Sequence, residues 1–246
     1  MAFDPDTAIG GHADRFPLTR LSLIESAAAG DAIQNDALEQ VVALYWKPVY
    51  KYIRLKWNKN NEEAKDLTQS FFASAIERDF FRRFDPQQAS FRTYLRMALD
   101  RFTANEYASA RREKRGGKVS FMPLDFEAAD SEPIDRRTSE SPEEVFQREW
   151  QRQLFAVAID DLRLHCELAG KLLQFRIFEE YDLADGDRPG YSELADRVGI
   201  TVTTLNNHLA WARRMLRNFV MERLRGVTSG DRELREEMRS IFIPHR

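Results

Sequence analysis

The sequence has little that could support catalysis or metal binding. It contains one cysteine, Cys166, and only four histidines among 246 residues. A single thiol cannot form an internal disulfide, and we interpret Cys166 as a small, buried apolar residue. The histidines are scattered, and the sequence holds no P-loop, no zinc-protease motif and no pair of cysteines. We therefore expect no metal, no other cofactor and no enzymatic activity.

Long apolar runs are also missing. No stretch approaches the roughly 18 to 20 apolar residues that cross a bilayer, and the first residues lack the basic region and apolar stretch of a secretory signal. We interpret the chain as a cytoplasmic protein with no membrane partner. Because 43% of the residues are hydrophobic, the chain can bury a core, and we expect an ordered protein.

The formal net charge of −3 hides a strong segregation of charge along the chain. Residues 78–118 contain 11 basic and 5 acidic residues, residues 119–149 contain 3 and 9, and residues 201–225 contain 5 and 1. Two basic segments separated by an acidic one indicate two modules that face a polyanion. The acidic segment between them is then a linker that does not bind the same polyanion.

Apolar residues recur at helical spacing, and no segment alternates long enough to predict a strand. The predicted fold is all-α, with two small helical domains joined by an acidic flexible linker and a helix-turn-helix in the second domain. Pro48 predicts a kink or a restart in the first helical region.

Composition also predicts the boundaries of these parts. They are a mobile leader at 1–17, a first domain at 18–115, the linker at 116–142, a second domain at 143–225 and a tail at 226–246. In the tail, Leu234, Met238 and Ile241 have helical spacing. This spacing is typical of a short docking helix, and a frayed tail is the alternative.

Residues 191–217 have the pattern of a helix-turn-helix. Ser192 is a candidate cap of the first helix, Gly199 permits the tight turn, and Thr201 is a candidate cap of the second helix. The residues predicted to face base edges are Thr203, Thr204, Asn206, Asn207 and His208, and those predicted to reach phosphates are Arg213, Arg214 and Arg217. The alternative is a plain helical hairpin with a solvated basic face.

A second signal is the helix predicted from Phe91 to about Arg112, with Ser90 as its N-cap. Aromatic and basic residues interleave along it, as suits single-stranded nucleic acid, because aromatic rings stack on bases while arginines follow phosphates. The alternative is that the aromatic residues pack in the core and that the arginines interact favourably with the C-terminal end of the helix dipole.

These pieces, in this order, carry a resemblance to a known family. The stretch DLTQSFFASAIERDFFRRFDPQQASFRTYLRMALDRFTANEYASARREKRGG resembles region two of the extracytoplasmic-function sigma factors of bacterial RNA polymerase, and residues 144–225 resemble their region four. The resemblance implies a sigma factor that binds core RNA polymerase and directs promoter recognition and transcription initiation. The implied partners are core polymerase and promoter DNA, with an anti-sigma factor or another regulator as a further candidate.

The resemblance also implies roles for individual residues. Those matching the helix that docks on the polymerase clamp are Asp66, Leu67, Gln69 and Phe72. Those implied in binding the minus-ten promoter DNA are Phe84, Arg92, Tyr94, Arg96, Arg101, Asn105, Arg111 and Arg112. The helix at 201–217 matches the one that reads the minus-thirty-five element in the major groove.

The sequence departs from the family at several of these positions. Tyr94 stands where the family often has Trp, and Arg101 stands where it often has Asn, so we expect a different base preference or a phosphate contact. Asn206, His208 and Trp211 occupy positions that are commonly basic. We therefore expect a less electrostatic contact there, with Asn206 or Asn207 pairing with adenine.

A further expectation concerns the free protein. We expect it to bind DNA only modestly, because its acidic linker can mask the basic faces until polymerase separates the domains. The competing interpretation is a transcription regulator that binds DNA through the helix-turn-helix without polymerase. Such a regulator has no need of the helix containing Asp66 or of the aromatic and basic helix after it.

Overall fold

The computed structural model describes residues 24, 27, 32–77, 80–110, 124, 126, 140–184, 186, 188–228 and 230–242. These residues form helices and no strand, which confirms the all-helical prediction. The predicted leader, most of the predicted linker, and Arg111 and Arg112 lie outside this range. Within it, no helix is both long and apolar enough to cross a membrane.

Eight α-helices and two short turns follow one another along the described chain. They are α1 (Ala32–Lys56), α2 (Asn61–Glu77), a 3₁₀ turn (Phe81–Arg83), α3 (Phe91–Ala110), α4 (Pro142–Leu168), α5 (Leu172–Phe178), a π-helical turn (Glu179–Leu183), α6 (Tyr191–Val198), α7 (Val202–Val227) and α8 (Asp231–Phe242). Helix α8 lies in the predicted tail.

Helix α1 continues through Pro48, so the predicted restart there is wrong. A proline inside a helix costs about 3 kcal/mol because it removes one hydrogen bond and clashes with the preceding turn. Tyr45, Val49 and Tyr52, on both sides of it, are completely buried. Burial of this continuous face stabilises the helix by enough to offset the cost of the proline.

Side chains cap the starts of α2, α3 and α4. At α2, the Glu63 N–H donates to Asn60 Oδ1 at 2.9 Å, and the Asn60 N–H donates to the Glu63 carboxylate at 3.3 Å. The same reciprocal capping box joins Ser141 and Glu144 at α4. At α3, the Thr93 N–H donates to Ser90 Oγ at 3.3 Å, which confirms the predicted cap.

The buried apolar side chains form two clusters. The first cluster combines α1, α2 and α3 with the first half of α4 and the end of α7, and the second combines the end of α4 with α5, α6 and the start of α7. From α4, the first cluster takes Phe146, Trp150, Leu154 and Ala158, and the second takes Leu162 and Cys166. The predicted domain boundary at residue 143 therefore does not coincide with the boundary between the clusters.

Polar contacts also join α1 to α4. The Lys51 ammonium donates to Glu149 Oε2 at 2.9 Å, and the two side chains are only 5% and 3% exposed. Further along α1, the Lys56 ammonium donates to Asp100, to Glu143 and to the Tyr52 hydroxyl, and that hydroxyl lies within 3.3 Å of both carboxylates. Desolvation is the main reason that the pKa of Tyr52 rises to about 12.

Candidate nucleic-acid interface

A cleft of about 650 Å³ opens between α2, the loop after it and α3. Its apolar lining includes Phe71, Phe80, Tyr94, Met97 and Phe102, and its polar lining includes Arg83, Asp85, Gln88, Arg101 and Asn105. This volume lies within the range of sites that hold small organic ligands. The cleft therefore has the size and the mixed lining that an unstacked nucleotide requires.

The polar side of the cleft combines cations with fixed hydrogen-bonding groups. Arg83 and Arg101 are both exposed at this side. Asp85 accepts from the Gln87 N–H at 2.9 Å and from Gln88 Nε2 at 2.8 Å, and these bonds hold the pKa of its carboxyl below the usual value. The arginines suit a phosphate, and the oriented Gln88 amide suits the edge of a base.

Tyr94 forms a wall of the cleft, and its hydroxyl is engaged inside the protein. The hydroxyl donates to the Phe80 carbonyl at 2.9 Å, and the ring stacks on Phe80 with centroids 4.6 Å apart. Phe84 packs against Tyr94 with centroids 5.3 Å apart, and edge-on against Phe91. Tyr94 and Phe84 therefore fix the loop against α3, while Met97, which is exposed, offers apolar surface to a ligand.

The predicted minus-ten residues do not share one surface. Tyr94, Arg101 and Asn105 line the cleft, whereas the Arg92 guanidinium lies 3.8 Å from the centre of the Trp150 ring and donates through both terminal nitrogens to Glu237 of α8. In this arrangement Arg92 is not available to DNA, because a carboxylate and an aromatic face already satisfy it. Arg96, one turn further along α3, is half-buried.

The predicted polymerase-docking residues also differ from one another in exposure. Asp66 and Gln69 are exposed on α2, and Leu67 is half-buried. Phe72 is buried and packs edge-on against Phe71. Phe72 therefore belongs to the core and not to the exposed surface predicted to dock on polymerase, because the period of the helix turns it inward.

Helices α6 and α7 meet at a sharp turn with the predicted glycine. Gly199 has φ +72° and ψ +34°, and the Ile200 N–H donates to the Ala195 carbonyl at 3.0 Å across the turn. The Thr204 N–H donates to the Thr201 hydroxyl at 3.1 Å, so the predicted cap of α7 is confirmed. The predicted cap at Ser192 is wrong, since α6 begins at Tyr191 and Gly190 occupies the cap position.

We expect Gly199→Ala to lower the free energy of unfolding by about 1 to 2 kcal/mol, the cost of a left-handed conformation for a residue with a Cβ. A Cβ added at Gly199 meets nothing within 4 Å, so the cost is conformational and not steric. Urea unfolding followed by circular dichroism measures it. Gly199→Asn is the matched control and should lose less, because asparagine adopts the left-handed conformation more readily than alanine does. An equal loss in both variants would contradict the role of the turn.

The start of α7 presents neutral polar groups to solvent. Thr203, Asn206 and Asn207 are exposed, Thr204 is half-buried, and His208 is half-buried as well. Burial, with a smaller contribution from the Lys171 charge, lowers the pKa of His208 below its ordinary value. The residues predicted to face base edges therefore include no Lys, Arg, Asp or Glu.

The predicted phosphate-contacting arginines of α7 have different surroundings. Arg213 forms two hydrogen bonds to Asp182, at 2.8 and 2.9 Å, and these raise its pKa. Arg217 lies over the Phe242 ring of α8 at 5.2 Å, and Arg214 is exposed. Asp182 therefore competes with a phosphate for two of the three guanidinium nitrogens of Arg213.

The ion pairs of the π-helical turn could not be predicted from the sequence. In the π-helical turn, Glu179 pairs with Arg163 of α4, Glu180 with Arg197 of α6, and Asp182 with Arg213 of α7. The only signal in the sequence is a run of acidic residues, EEYD, before the helix-turn-helix. The turn thus ties three helices of the second cluster together through ion pairs.

Cys166 is buried, as predicted, and burial is the main reason that the pKa of its thiol is raised. No group of three or more His, Cys, Asp or Glu side chains is placed to hold a metal ion within the described part of the chain. In comparisons with known proteins, no family model matches the chain, and no curated protein or solved structure is significantly similar to it.

Proposed function

We propose that the protein is an RNA polymerase sigma factor of the extracytoplasmic-function type, which binds core polymerase and directs promoter recognition. It has no chemistry of its own, and the polymerase carries out the catalysis. The observation that carries the proposal is the cleft beside α3. It combines an apolar floor with Arg83, Arg101 and Asn105, where the resemblance implies contact with an unpaired base of the minus-ten element.

Two further surfaces support the proposal. Helix α2 presents Asp66 and Gln69 to solvent, as a docking helix requires. The sharp turn at Gly199 between α6 and α7, with Thr203, Asn206 and Asn207 exposed at the start of α7, supports the predicted helix-turn-helix. Base readout there is expected to favour adenine, because an amide side chain can accept and donate on one base edge.

Run-off transcription with bacterial core polymerase and a promoter library tests the proposal. We expect transcripts that depend on this protein and whose templates share two spaced elements. The double variant Asp66→Arg, Gln69→Ala should lose core binding by about tenfold or more, because it reverses a charge at a docking surface. Arg101→Glu should keep core binding and lose promoter opening, since it places a carboxylate beside the DNA backbone.

Glu39→Arg is the control for charge reversal, because Glu39 is exposed on α1, away from all predicted contacts. It should leave core binding and transcription unchanged. Absence of transcripts and of core binding, together with tight sequence-specific binding of duplex DNA by the protein alone, would favour the polymerase-independent regulator.

A further inference from the structure

The first three turns of α7 contain no lysine or arginine. The first arginine of the helix is Arg213, which lies about 16 Å along the axis from Val202 and is bound by Asp182. Binding to duplex DNA depends strongly on cations that neutralise phosphates. If the start of α7 meets the promoter as proposed above, a cation at this end of the helix has to come from another element.

Lys171, the residue before α5, places a cation beside the start of α7. Its ammonium lies 4.7 Å from the centre of the Trp211 ring of α7. Its charge also reaches His208, where it contributes to the lowered pKa. His208 and Trp211 are three residues apart, and Thr204 lies two helical turns before Trp211, so all three share one side of α7. Lys171 is therefore close to side chains that are predicted to face base edges.

Both the backbone and the side chain of Lys171 are held in place. The Lys171 N–H donates to the Cys166 carbonyl at 2.8 Å, and the Lys171 carbonyl accepts from the Phe175 N–H at 3.3 Å. Trp211, which contacts the ammonium, is half-buried and stacks on His165 of α4 with ring centroids 6.2 Å apart. A lysine loses rotamer freedom when it binds a ligand, and a cation–π contact that already orients the side chain reduces this entropic cost.

We propose that Lys171, although it lies outside the predicted helix-turn-helix, binds a phosphate of the promoter duplex beside the start of α7. An ammonium has three N–H donors, so it can donate to a phosphate oxygen while it stays over the Trp211 ring. Trp211 then acts as a positioning residue, because it holds in α7 a cation that belongs to the start of α5. The inference rests on the proposed function, since it adds a contact to the surface predicted to bind the minus-thirty-five element.

Fluorescence anisotropy of the full chain with a pool of random-sequence DNA duplexes, at several salt concentrations, tests the contact. We expect Lys171→Met to weaken binding by roughly three- to tenfold and to reduce the steepness of log K against log salt by about 0.9, the value for one phosphate contact. Methionine keeps an unbranched side chain over the ring, so the fold should be kept. Lys171→Arg should keep both the affinity and the salt dependence. Trp211→Leu should weaken binding and keep the salt dependence, because the lysine is present but no longer held.

Arg176→Gln is the matched control, because Arg176 is exposed on α5, outside the predicted contacts, and its replacement removes the same net charge. It should change neither the affinity nor the salt dependence. Sequencing of the bound duplexes separates a phosphate contact from a base contact. Lys171→Met should enrich the same sequences as the unaltered chain does, because a phosphate contact has no base preference.

The outcomes separate the phosphate contact from the proposed function. An unchanged salt dependence in Lys171→Met, or an equal change in Arg176→Gln, overturns the phosphate contact and leaves the sigma function standing. Enrichment of different sequences by Lys171→Met overturns it as well, in favour of base readout by Lys171. If Trp211→Leu binds DNA as the unaltered chain does, the positioning role of Trp211 is overturned. If the unaltered chain binds no duplex and supports no transcription with core polymerase, the proposed function is overturned together with the inference.

Discussion

Replacing Glu149 by leucine is expected to lower the free energy of unfolding by about 3 to 5 kcal/mol, the usual cost of removing one partner of a buried ion pair. Glu149 accepts from the Lys51 ammonium at 2.9 Å, and both side chains are almost completely buried between α1 and α4. In the leucine variant the Lys51 ammonium loses this carboxylate while it stays almost completely buried.

The opposite replacement, Lys51→Met, removes the other partner of the pair. The second carboxylate oxygen of Glu149 also accepts from Arg152 at 3.1 Å, and Arg148 lies 3.6 Å away, so the carboxylate keeps cationic neighbours. The double variant Lys51→Met, Glu149→Leu should recover much of the loss, because an apolar pair of similar volume carries no charge to desolvate. Urea unfolding of the four proteins at pH 7 gives the coupling energy. A coupling energy near zero would contradict a stabilising contact between Lys51 and Glu149.

Leu154→Ala is expected to destabilise the protein by about 2 to 5 kcal/mol, through lost burial and the cavity left behind. Leu154 is completely buried in the first cluster. The sequence, however, predicts that Leu154 belongs to the second domain. The loss should appear in the unfolding of α1 and α3 as well as α4, because these helices share the cluster. Hydrogen exchange measured by mass spectrometry resolves the individual helices.

The same helix supplies the control. Leu168 is 82% exposed at the end of α4, and Leu168→Ala should change the free energy of unfolding by no more than about 0.5 kcal/mol. If Leu154→Ala destabilises α4 alone and leaves α1 and α3 unaffected, the shared cluster does not hold in solution.

Features that depend on a few consecutive residues could be predicted from the sequence. The Ser90 cap, the left-handed Gly199 and the Thr201 cap each follow from local backbone chemistry, and the structure has all three. Ser192 failed as a cap because Gly190, two residues earlier, already takes the extended conformation in which a helix can begin. The predicted restart at Pro48 is wrong because burial of α1 on both sides of the proline stabilises the helix by more than the proline destabilises it.

Features that depend on residues far apart could not be predicted. The apolar stripe of α4 indicates that Phe146, Trp150 and Leu154 are buried, but periodicity does not say which helices cover them. The pairing of Arg92 with Glu237 joins residues 145 positions apart, and many other carboxylates in the sequence could have taken that place. This one contact explains why the predicted minus-ten residues do not all lie on one surface.

The passage of α4 through both clusters has a consequence for how such a chain can be divided. A cut in the acidic segment before Ser141 would leave the N-terminal fragment without Phe146, Trp150 and Leu154, and so without one wall of its own core. Recombination at that segment would exchange the second half of the chain only together with a helix fitted to its former neighbour. The two halves are therefore expected to be inherited as a pair.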